Sequence, residues 1–284
     1  MEPAPGTLYV VPTPIGNLGD LTLRALEILG RVDLVAAEDT RTARKLFSRY
    51  QLQTPLLAFH DHSGPARRQR LLDDLRAGKA VALISEAGMP GVSDPGFELV
   101  RAVIAADLPL VVLPGPCAAV TALVGSGLPL NEYFFAGFLP ARDAARRQRL
   151  RQLREIRATL VFYESPRRLP ATLAAIHEVL GNRQLAIARE LSKLHEEYIR
   201  GPVAAIRERE AGRDWRGEIT LVVAGAPAAA KASEEEVAAA LERLQAGGGE
   251  LSGRDLVAAL QAEFPDWPRR ELYRLVLAAR NGER

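Results

Sequence analysis

The sequence predicts an α/β protein of two lobes followed by a small helical tail, and three observations carry that expectation. Short apolar runs alternate with stretches of helical period through residues 1–126. Over 127–226 the apolar runs crowd together, as antiparallel pairing requires, and from 233 onward the pattern is helical throughout. Apolar strands interleaved with helices indicate a mostly parallel sheet covered on both faces. The expected domains are 1–126, 127–226 and 233–284, with the boundary between the lobes near Gly125–Asn131.

Leu8–Val11 reads as the first strand, and Leu21–Leu29 as a helix with Leu21, Leu23, Leu26 and Leu29 on its apolar face. Val32–Asp39 is a strand ending in acids, and Gly64–Arg76 a helix packing through Leu71, Leu72 and Leu75. Ala80–Ile84 is a strand, Gly96–Ala106 a helix, Leu110–Gly115 a strand and Ala118–Ser126 a short helix. The second lobe opens with Tyr133–Phe138, followed by an arginine-rich helix over 142–157 and a strand over Ala158–Glu164. A helix over Leu169–Leu180 and strands over Gln184–Ser192, Glu196–Gly201 and Gly217–Gly225 complete it. Residues 226–236 are small and end in acids, as a linker does. In the tail, Val237–Leu244 is helical and the glycines at 247–249 break it. Ser252 with Asp255 three residues on forms an Asp variant of the capping box, opening a helix through Leu256, Val257 and Leu260. Residues 264–268 turn the chain into a last helix, Arg269–Arg280, with Leu272, Leu275 and Val276 inward. This arrangement reads equally as a helix-turn-helix unit or as a helical cap.

Composition narrows the function classes. The 284 residues are 48% hydrophobic, with no apolar run long enough for a membrane helix and no basic-then-apolar leader at the N-terminus. A single cysteine, Cys117, excludes a disulfide framework and a multi-cysteine zinc site, so a cytoplasmic protein is expected. Net charge is only +2, yet four of the 37 basic residues are lysine and the rest arginine. Seven arginines lie between Ala141 and Arg157 against Asp143 and Glu155. Arginine suits bidentate phosphate contacts, although a solvated helix face is the plainer reading of a charge run taken alone.

In a doubly wound lobe, ligands bind beyond the carboxyl ends of the strands. Every unusual stretch lies at such an end: PTPIGNLGD (12–20), EDTR (38–41), SEAGMPGVSDPG (85–96), PGPCAA (114–119), FYESPR (162–167) and ARELSKLHEE (188–197). One Gly- and Pro-rich loop is an ordinary turn, but four in register within one lobe let backbone approach a ligand. The phosphate-loop, dinucleotide-fingerprint and HExxH motifs are all absent. His60 and His62 flank Asp61, a spacing that fits a metal or simply a polar surface, with no obvious third ligand. The residues alone therefore describe a crevice of backbone edged with acids, suited to a small cationic or polar ligand.

Taken together and in order, PTPIGNLGDLT, AEDTR, FHDH, LISEAGMPGVSDPG, PGPCA, GFLP, FYESPRR and ARELSKLHEE resemble the bacterial 16S ribosomal RNA (cytidine-2′-O-)-methyltransferase family, part of the tetrapyrrole methylase superfamily. The likeness runs from about Thr7 to Gly225, and the tail is similar to the helical domain many members carry. It implies a tetrapyrrole-methylase-like fold, usually a homodimer, with S-adenosylmethionine in the cleft between the lobes and no metal. It implies that Pro14, Ile15 and Gly16 line the donor site and that Glu86, Ala87, Gly88, Met89 and Val92 form its main wall. Cys117 and Ala118 would cover the donor, and Glu164 and Leu191 would close it from the second lobe. Glu86, Met89, Asp61 and Cys117 stand where the family usually has Asp, Thr, Glu and Ser, and the first loop lacks the glycine-rich form of the porphyrin-methylating branch.

The implied reaction is attack of a ribose 2′-oxygen on the sulfonium methyl, at a cytidine in the decoding region within the assembled 30S subunit. Positioning supplies much of such a rate, and a base assists. Asp39 and Lys193 are the expected bases, chosen over Glu164 and His60; a lysine serves only if its pKa is depressed. The plainer alternatives are that Asp39 caps the following helix and that Lys193 pairs with Glu190 or Glu197. Arg41, His60, Arg167 and Arg168 are expected at the RNA, with the arginine helix and the tail reading its shape; Arg167 and Arg168 read equally as a salt bridge at a helix start. The other readings are a relative acting on a porphyrinoid or a protein, and a non-catalytic RNA-binding assembly factor.

Overall fold

The computed structural model describes residues 2–60, 63–227, 232–246 and 251–282, residues 280–282 by backbone alone. By contacts the chain divides into a unit of residues 1–226 and a unit of residues 227–284.

The first unit holds two five-stranded sheets. The first sheet comprises β1 (Leu8–Val10), β2 (Leu34–Ala37), β3 (Leu56–Ala58), β4 (Val81–Ile84) and β5 (Leu110–Val112), in the order β3-β2-β4-β1-β5. All its pairings are parallel. The strict alternation of Leu8, Tyr9, Val10 and Val11 divides the core between its faces. Tyr9 and Val11 pack with α1 (Leu23–Leu29) and α2 (Thr40–Arg49), while Leu8 and Val10 pack with α3 (Gly64–Arg76) and α4 (Phe97–Ala105). The sheet is thus covered on both sides, as the near-continuous apolar strands require.

The second sheet comprises β6 (Tyr133–Phe138), β7 (Thr159–Glu164), β8 (Gln184–Arg189), β9 (Glu197–Pro202) and β10 (Ile219–Val223), in the order β6-β7-β10-β8-β9. The expected antiparallel pairing holds for three of its pairs; β6 and β7 run parallel, joined through α6 (Asp143–Leu153). One face is covered by α6, α7 (Leu169–Leu180) and α8 (Val203–Arg209). The other carries Val161, Ala186, Ala188 and Val222 and receives α5 (Ala118–Ser126) through Ala119, Ala122 and Leu123. Small residues on both partners allow this close approach. Helix α5, read from the sequence as the end of the first lobe, therefore packs on the second sheet.

Several local expectations need correction. Leu23 begins α1 but is 81% exposed; Ala25, Ile28 and Leu29 make the buried stripe, with Leu21 buried just before the helix. The sequence reading had no strand for β3 and no helix for α8. Most strands are one to three residues shorter than read, since their ends turn into the loops.

In the second unit, α9 (Glu234–Ala246), α10 (Gly253–Glu263) and α11 (Arg269–Gly282) share a core of Val237, Leu241, Leu256, Leu260, Trp267, Leu272 and Val276. The Ser252–Asp255 capping box is formed, and Ser233 with Glu236 makes a second one that the sequence reading missed. The glycines at 247–249 lie outside the described residues.

Candidate active site

The loops at the carboxyl ends of the first sheet meet the second sheet around a pocket of about 300 Å3. Ile15 comes from the loop after β1, Ala87, Gly88, Met89, Val92 and Asp94 from the loop after β4, and Ala118 from the start of α5. Phe138, Tyr163, Glu164, Ala188, Leu191 and Gly217–Thr220 wall it from the second sheet. Two backbone hydrogen bonds of 2.9 Å each, exchanged between Thr13 and Gly88, tie the first-strand loop to the fourth-strand loop. Gly88 sits at φ +83°, in the left-handed region, and a Cβ there would lie 3.3 Å from Ile15 Cγ2. Only glycine holds that turn without strain and leaves the pocket open.

The backbone is wound tightly elsewhere around the pocket. Among the described residues, five non-glycine residues take positive φ, and Ser93, Glu190 and Ser192 are three of them. All three lie in the 85–96 and 188–197 loops. Such conformations cost of order 1 kcal/mol each and gather at ligand sites. The Ser192 hydroxyl donates to Asp20, joining the loop after β1 to the loop after β8.

Eight of the residues expected at the donor (Ile15, Ala87, Gly88, Met89, Val92, Ala118, Glu164 and Leu191) line this pocket. Pro14, Gly16 and Glu86 instead line an adjoining cavity of about 410 Å3 with Thr42, Lys45 and Lys193. Cys117 is the residue before α5 and packs among Ile15, Ala118 and Tyr163. A Cβ on Gly16 would run into the Lys193 stem, so that glycine lets the loops after β1 and β8 close on each other.

Asp94, Phe138, Tyr163, Ala188 and Gly217–Thr220 were missed. Phe138 and Tyr163 sat in stretches already singled out, GFLP and FYESPR, but as strand residues they read as core. Their rings meet edge to face with centroids 5.6 Å apart. The Tyr163 hydroxyl accepts from Ala119 N at 3.2 Å. Burial, with Cys117 beside it, pushes the Tyr163 pKa well above the usual phenol value.

Both expected bases are engaged by partners, as the alternative readings of each had it: Asp39 as a helix cap and Lys193 in an ion pair. Asp39 caps α2, accepting from Arg41 N at 2.7 Å and from the Arg41 guanidinium at 2.6–3.1 Å. These bonds hold its carboxyl near pKa 2, and a carboxylate so depressed is a poor proton acceptor at neutral pH. A carbon-detected pH titration is expected to show the Asp39 midpoint at about 2, below its usual 3.8. The folded pKa is depressed, so the pair contributes its stability above the ordinary value and loses it as pH falls through 2. Lys193 Nζ bonds Glu190 at 2.8 Å and Glu218 at 3.1 Å. Burial pushes its pKa down, but the two carboxylates outweigh that and the net shift is upward, so it is held as the ammonium.

Glu164 is fully buried and engaged on both oxygens: Ser165 N and Arg168 on one, the Thr172 hydroxyl at 2.6 Å on the other. Arg168, expected at RNA phosphate, also donates to the carbonyls of Leu139 and Pro140. It is an internal tie between the loops after β6 and β7. Arg41 is exposed but paired with Asp39. Arg167 is exposed on the loop after β7. His60 lines a further cavity of about 340 Å3 beside the pocket, while Asp61 and His62 lie outside the described residues.

The arginine helix divides. Arg146 is buried on Asp143, and Arg147 is half-buried on Asp143 and Glu178. Arg142, Arg151, Arg154 and Arg157 face solvent, and Arg149 lies over the Phe134 ring at 6.0 Å. The run is thus partly a structural clamp and partly an exposed cationic face.

A pocket with apolar walls from Ile15, Val92, Leu191 and Ile219, backbone at Ala87–Met89, and acids at Asp94 and Glu218 fits a flat aromatic group joined to a cationic chain. S-adenosylmethionine has that make-up: an adenine for the apolar walls, polar ends for backbone, and a positive charge for the acids. Comparison with known proteins gives the same direction. The tetrapyrrole (corrin/porphyrin) methylase family model matches residues 7–207. The chain is 45% identical over 280 residues, 98% of its length and 88% of the relative's, to ribosomal RNA small subunit methyltransferase I of Micromonospora olivasterospora. It is 44% identical to the Escherichia coli O157:H7 protein of the same name, covering 96% of this chain and 95% of that one. Among solved structures, uroporphyrin-III-C-methyltransferase from Thermus thermophilus superposes with a TM-score of 0.54 at 26% identity, over 77% of this chain and 94% of that one.

Proposed function

The chain belongs to the tetrapyrrole methylase family, alongside the ribosomal RNA small subunit methyltransferases I, and from that footing we propose that it methylates small-subunit ribosomal RNA with S-adenosylmethionine as donor. The acceptor is the ribose 2′-oxygen of a cytidine in the decoding region, met in the assembled 30S subunit. The observation that carries the donor is the inter-lobe pocket with eight expected residues on its walls.

When bound, S-adenosylmethionine supplies an already activated methyl group. The protein's work is then to bind, orient and exclude water. Ala87–Met89 present backbone to the donor, and Pro90 and Pro95 stiffen their loop. Leu191, Ile219 and Phe138 keep water out, which strengthens every polar contact inside. Lys193, clamped between Glu190 and Glu218, fixes the loop after β8 and puts positive charge beside the adjoining cavity.

The exposed arginines of α6 suit RNA phosphates. Replacing Arg142, Arg151 and Arg154 by Glu is expected to weaken subunit binding about tenfold or more and to flatten its salt dependence, measured by filter binding across salt concentrations. Exposed apolar side chains at Val112 on edge strand β5, Val120 and Val124 on α5, and Tyr133 on edge strand β6 favour a homodimer. Sedimentation analysis tests it. No helix among the described residues is long and apolar enough to cross a membrane, and the proposed substrate places the work in the cytoplasm.

The decisive experiment incubates the protein with labelled S-adenosylmethionine and small subunits from cells lacking the endogenous enzyme, then maps the label. Label at a cytidine 2′-oxygen is the expected result. Label on a base or a protein would replace the acceptor, and donor binding without any transfer to the subunit would move the search to other acceptors.

A further inference from the structure

Helix α2 forms one wall of the cavity of about 410 Å3, through Thr42, Ala43, Lys45 and Leu46. The helix carries four bases, Arg41, Arg44, Lys45 and Arg49, and no acid. Its inner face packs through Ala43, Leu46 and Phe47, which leaves the bases outside. We propose that this outer face binds the ribosomal RNA strand and leads it into the cavity, where Lys45 holds a phosphate of the acceptor nucleotide. The inference rests on the ribosomal RNA reading above and deepens it by naming the surface.

Spacing is the first argument. Arg41, Lys45 and Arg49 follow at four-residue intervals and so lie along one face, about 6 Å apart along the axis. A row of cations of that kind suits the repeating charge of a single strand. Arg41 is held by Asp39, but neither Arg44 nor Lys45 has an acid partner among the described residues. The other described lysines, Lys79 and Lys193, are both ion-paired. The far end of the row is fixed in place. Arg49 lies over the Tyr50 ring at 6.0 Å, and the Tyr50 hydroxyl donates to the Leu18 carbonyl at 2.6 Å. Leu18 is itself part of the cavity wall.

Contiguity says where the strand leads. The cavity and the donor pocket share Ile15, Ala87 and Glu218, so the two spaces lie on either side of one wall. The acceptor oxygen must come within about 3–3.5 Å of the transferred methyl, which requires a space that adjoins the donor. The volume falls in the range of small-molecule sites, about 300–1,000 Å3. The charges of the lining are the third argument. Its acids are Glu86 and Glu218. Glu218 is bonded by Lys193, and Glu86 is close enough to Arg41 to help hold that guanidinium charged. Lys45 is left as the cation that an incoming phosphate meets.

Lys45→Ala, Lys45→Arg and the double change Arg44→Glu with Arg49→Glu are compared with the parent enzyme on small subunits. Methyl transfer gives kcat and KM, and filter binding across salt concentrations gives Kd and its salt slope. Calorimetry with S-adenosylhomocysteine reads the donor site and, through it, the fold. Lys45→Ala is expected to raise KM about tenfold and to lower the salt slope by about one, with donor affinity kept. Lys45→Arg keeps the charge and is expected to recover most of the loss. Arg44 and Arg49 line neither cavity, so the double change reads the outer face by itself; it is expected to raise Kd about tenfold or more and to flatten the slope. A benzophenone side chain placed at position 44 is expected to cross-link to ribosomal RNA. A Lys45→Ala enzyme with the parent KM and slope removes the acceptor from this cavity. A double variant with the parent Kd overturns the surface, and a subunit marked only on protein, or not at all, overturns the choice of partner. A parent enzyme that transfers nothing to subunits fells the ribosomal RNA reading itself, whereas active transfer with every variant unchanged fells this inference alone.

Discussion

Replacing Gly88 by Val is expected to lower donor affinity about 100-fold or more and to take methyl transfer with it, a loss of about 3 kcal/mol or more in binding. Two physical effects add. At φ +83° a β-branched residue is strained by about 1–3 kcal/mol, relieved only by shifting the loop. That loop is fastened by the paired 2.9 Å bonds to Thr13, so it cannot shift without opening the pocket. If instead the backbone stays, the new Cβ lies 3.3 Å from Ile15 Cγ2 and the two methyl groups crowd the space of the donor. Gly88→Ala shares the strain and part of the crowding, and should fall between the two. Calorimetric titration with S-adenosylhomocysteine reads the affinity, and far-ultraviolet dichroism reads the fold. A Gly88→Val protein that binds as well as the parent would mean the donor does not lie against this turn.

Glu164→Ala should be the costliest change to stability, at about 3–5 kcal/mol, because removing one member of a buried pair strands the rest. The carboxylate is fully buried and joins β7, α7 and the segment after β6. It fixes Ser165 at the end of β7, Thr172 in α7 and the Arg168 guanidinium, which in turn holds the carbonyls of Leu139 and Pro140 after β6. Without it, Arg168 and Thr172 lose their shared acceptor. Glu164→Gln keeps the shape and the acceptor to Thr172 but loses the charge, and is expected to cost less. Urea denaturation monitored through the two tryptophans gives both values. Because Glu164 also lines the donor pocket, the Ala variant should bind donor more weakly, and Glu164→Gln should separate the two effects.

Much of the architecture is legible without coordinates. The parallel sheet follows from apolar strands separated by helical stretches, and the observed helices Gly64–Arg76, Ala118–Ser126 and Leu169–Leu180 match their expected limits residue for residue. The Ser252–Asp255 cap forms because its bonds lie within one turn. What is local in the chain, whether period, cap or glycine turn, is written in the order of residues.

The site divides along the same line. The loops after β1, β4 and β8 were identifiable because glycine, proline and acids at the end of a strand are unusual for packing alone. Phe138, Tyr163, Ala188 and Gly217–Thr220 were not, since along a strand a residue facing a ligand and one facing a core have the same chemistry. Only the pairing of β7, β10 and β8 turns them toward one pocket. Charges behave likewise. Nothing in ARELSKLHEE says that Lys193 meets Glu218, 25 residues on, nor does the arginine run say which two of its members are clamped inward. The sequence by itself determined the two α/β lobes, the helical tail and which loops line the pocket, because those depend on neighbours within a few residues. The pairing of Lys193 with Glu218 and the tie that Arg168 makes to Leu139 and Pro140 were decided by tertiary structure. A side chain's charge, partner and free volume are set by groups that only folding brings within a few ångströms of it.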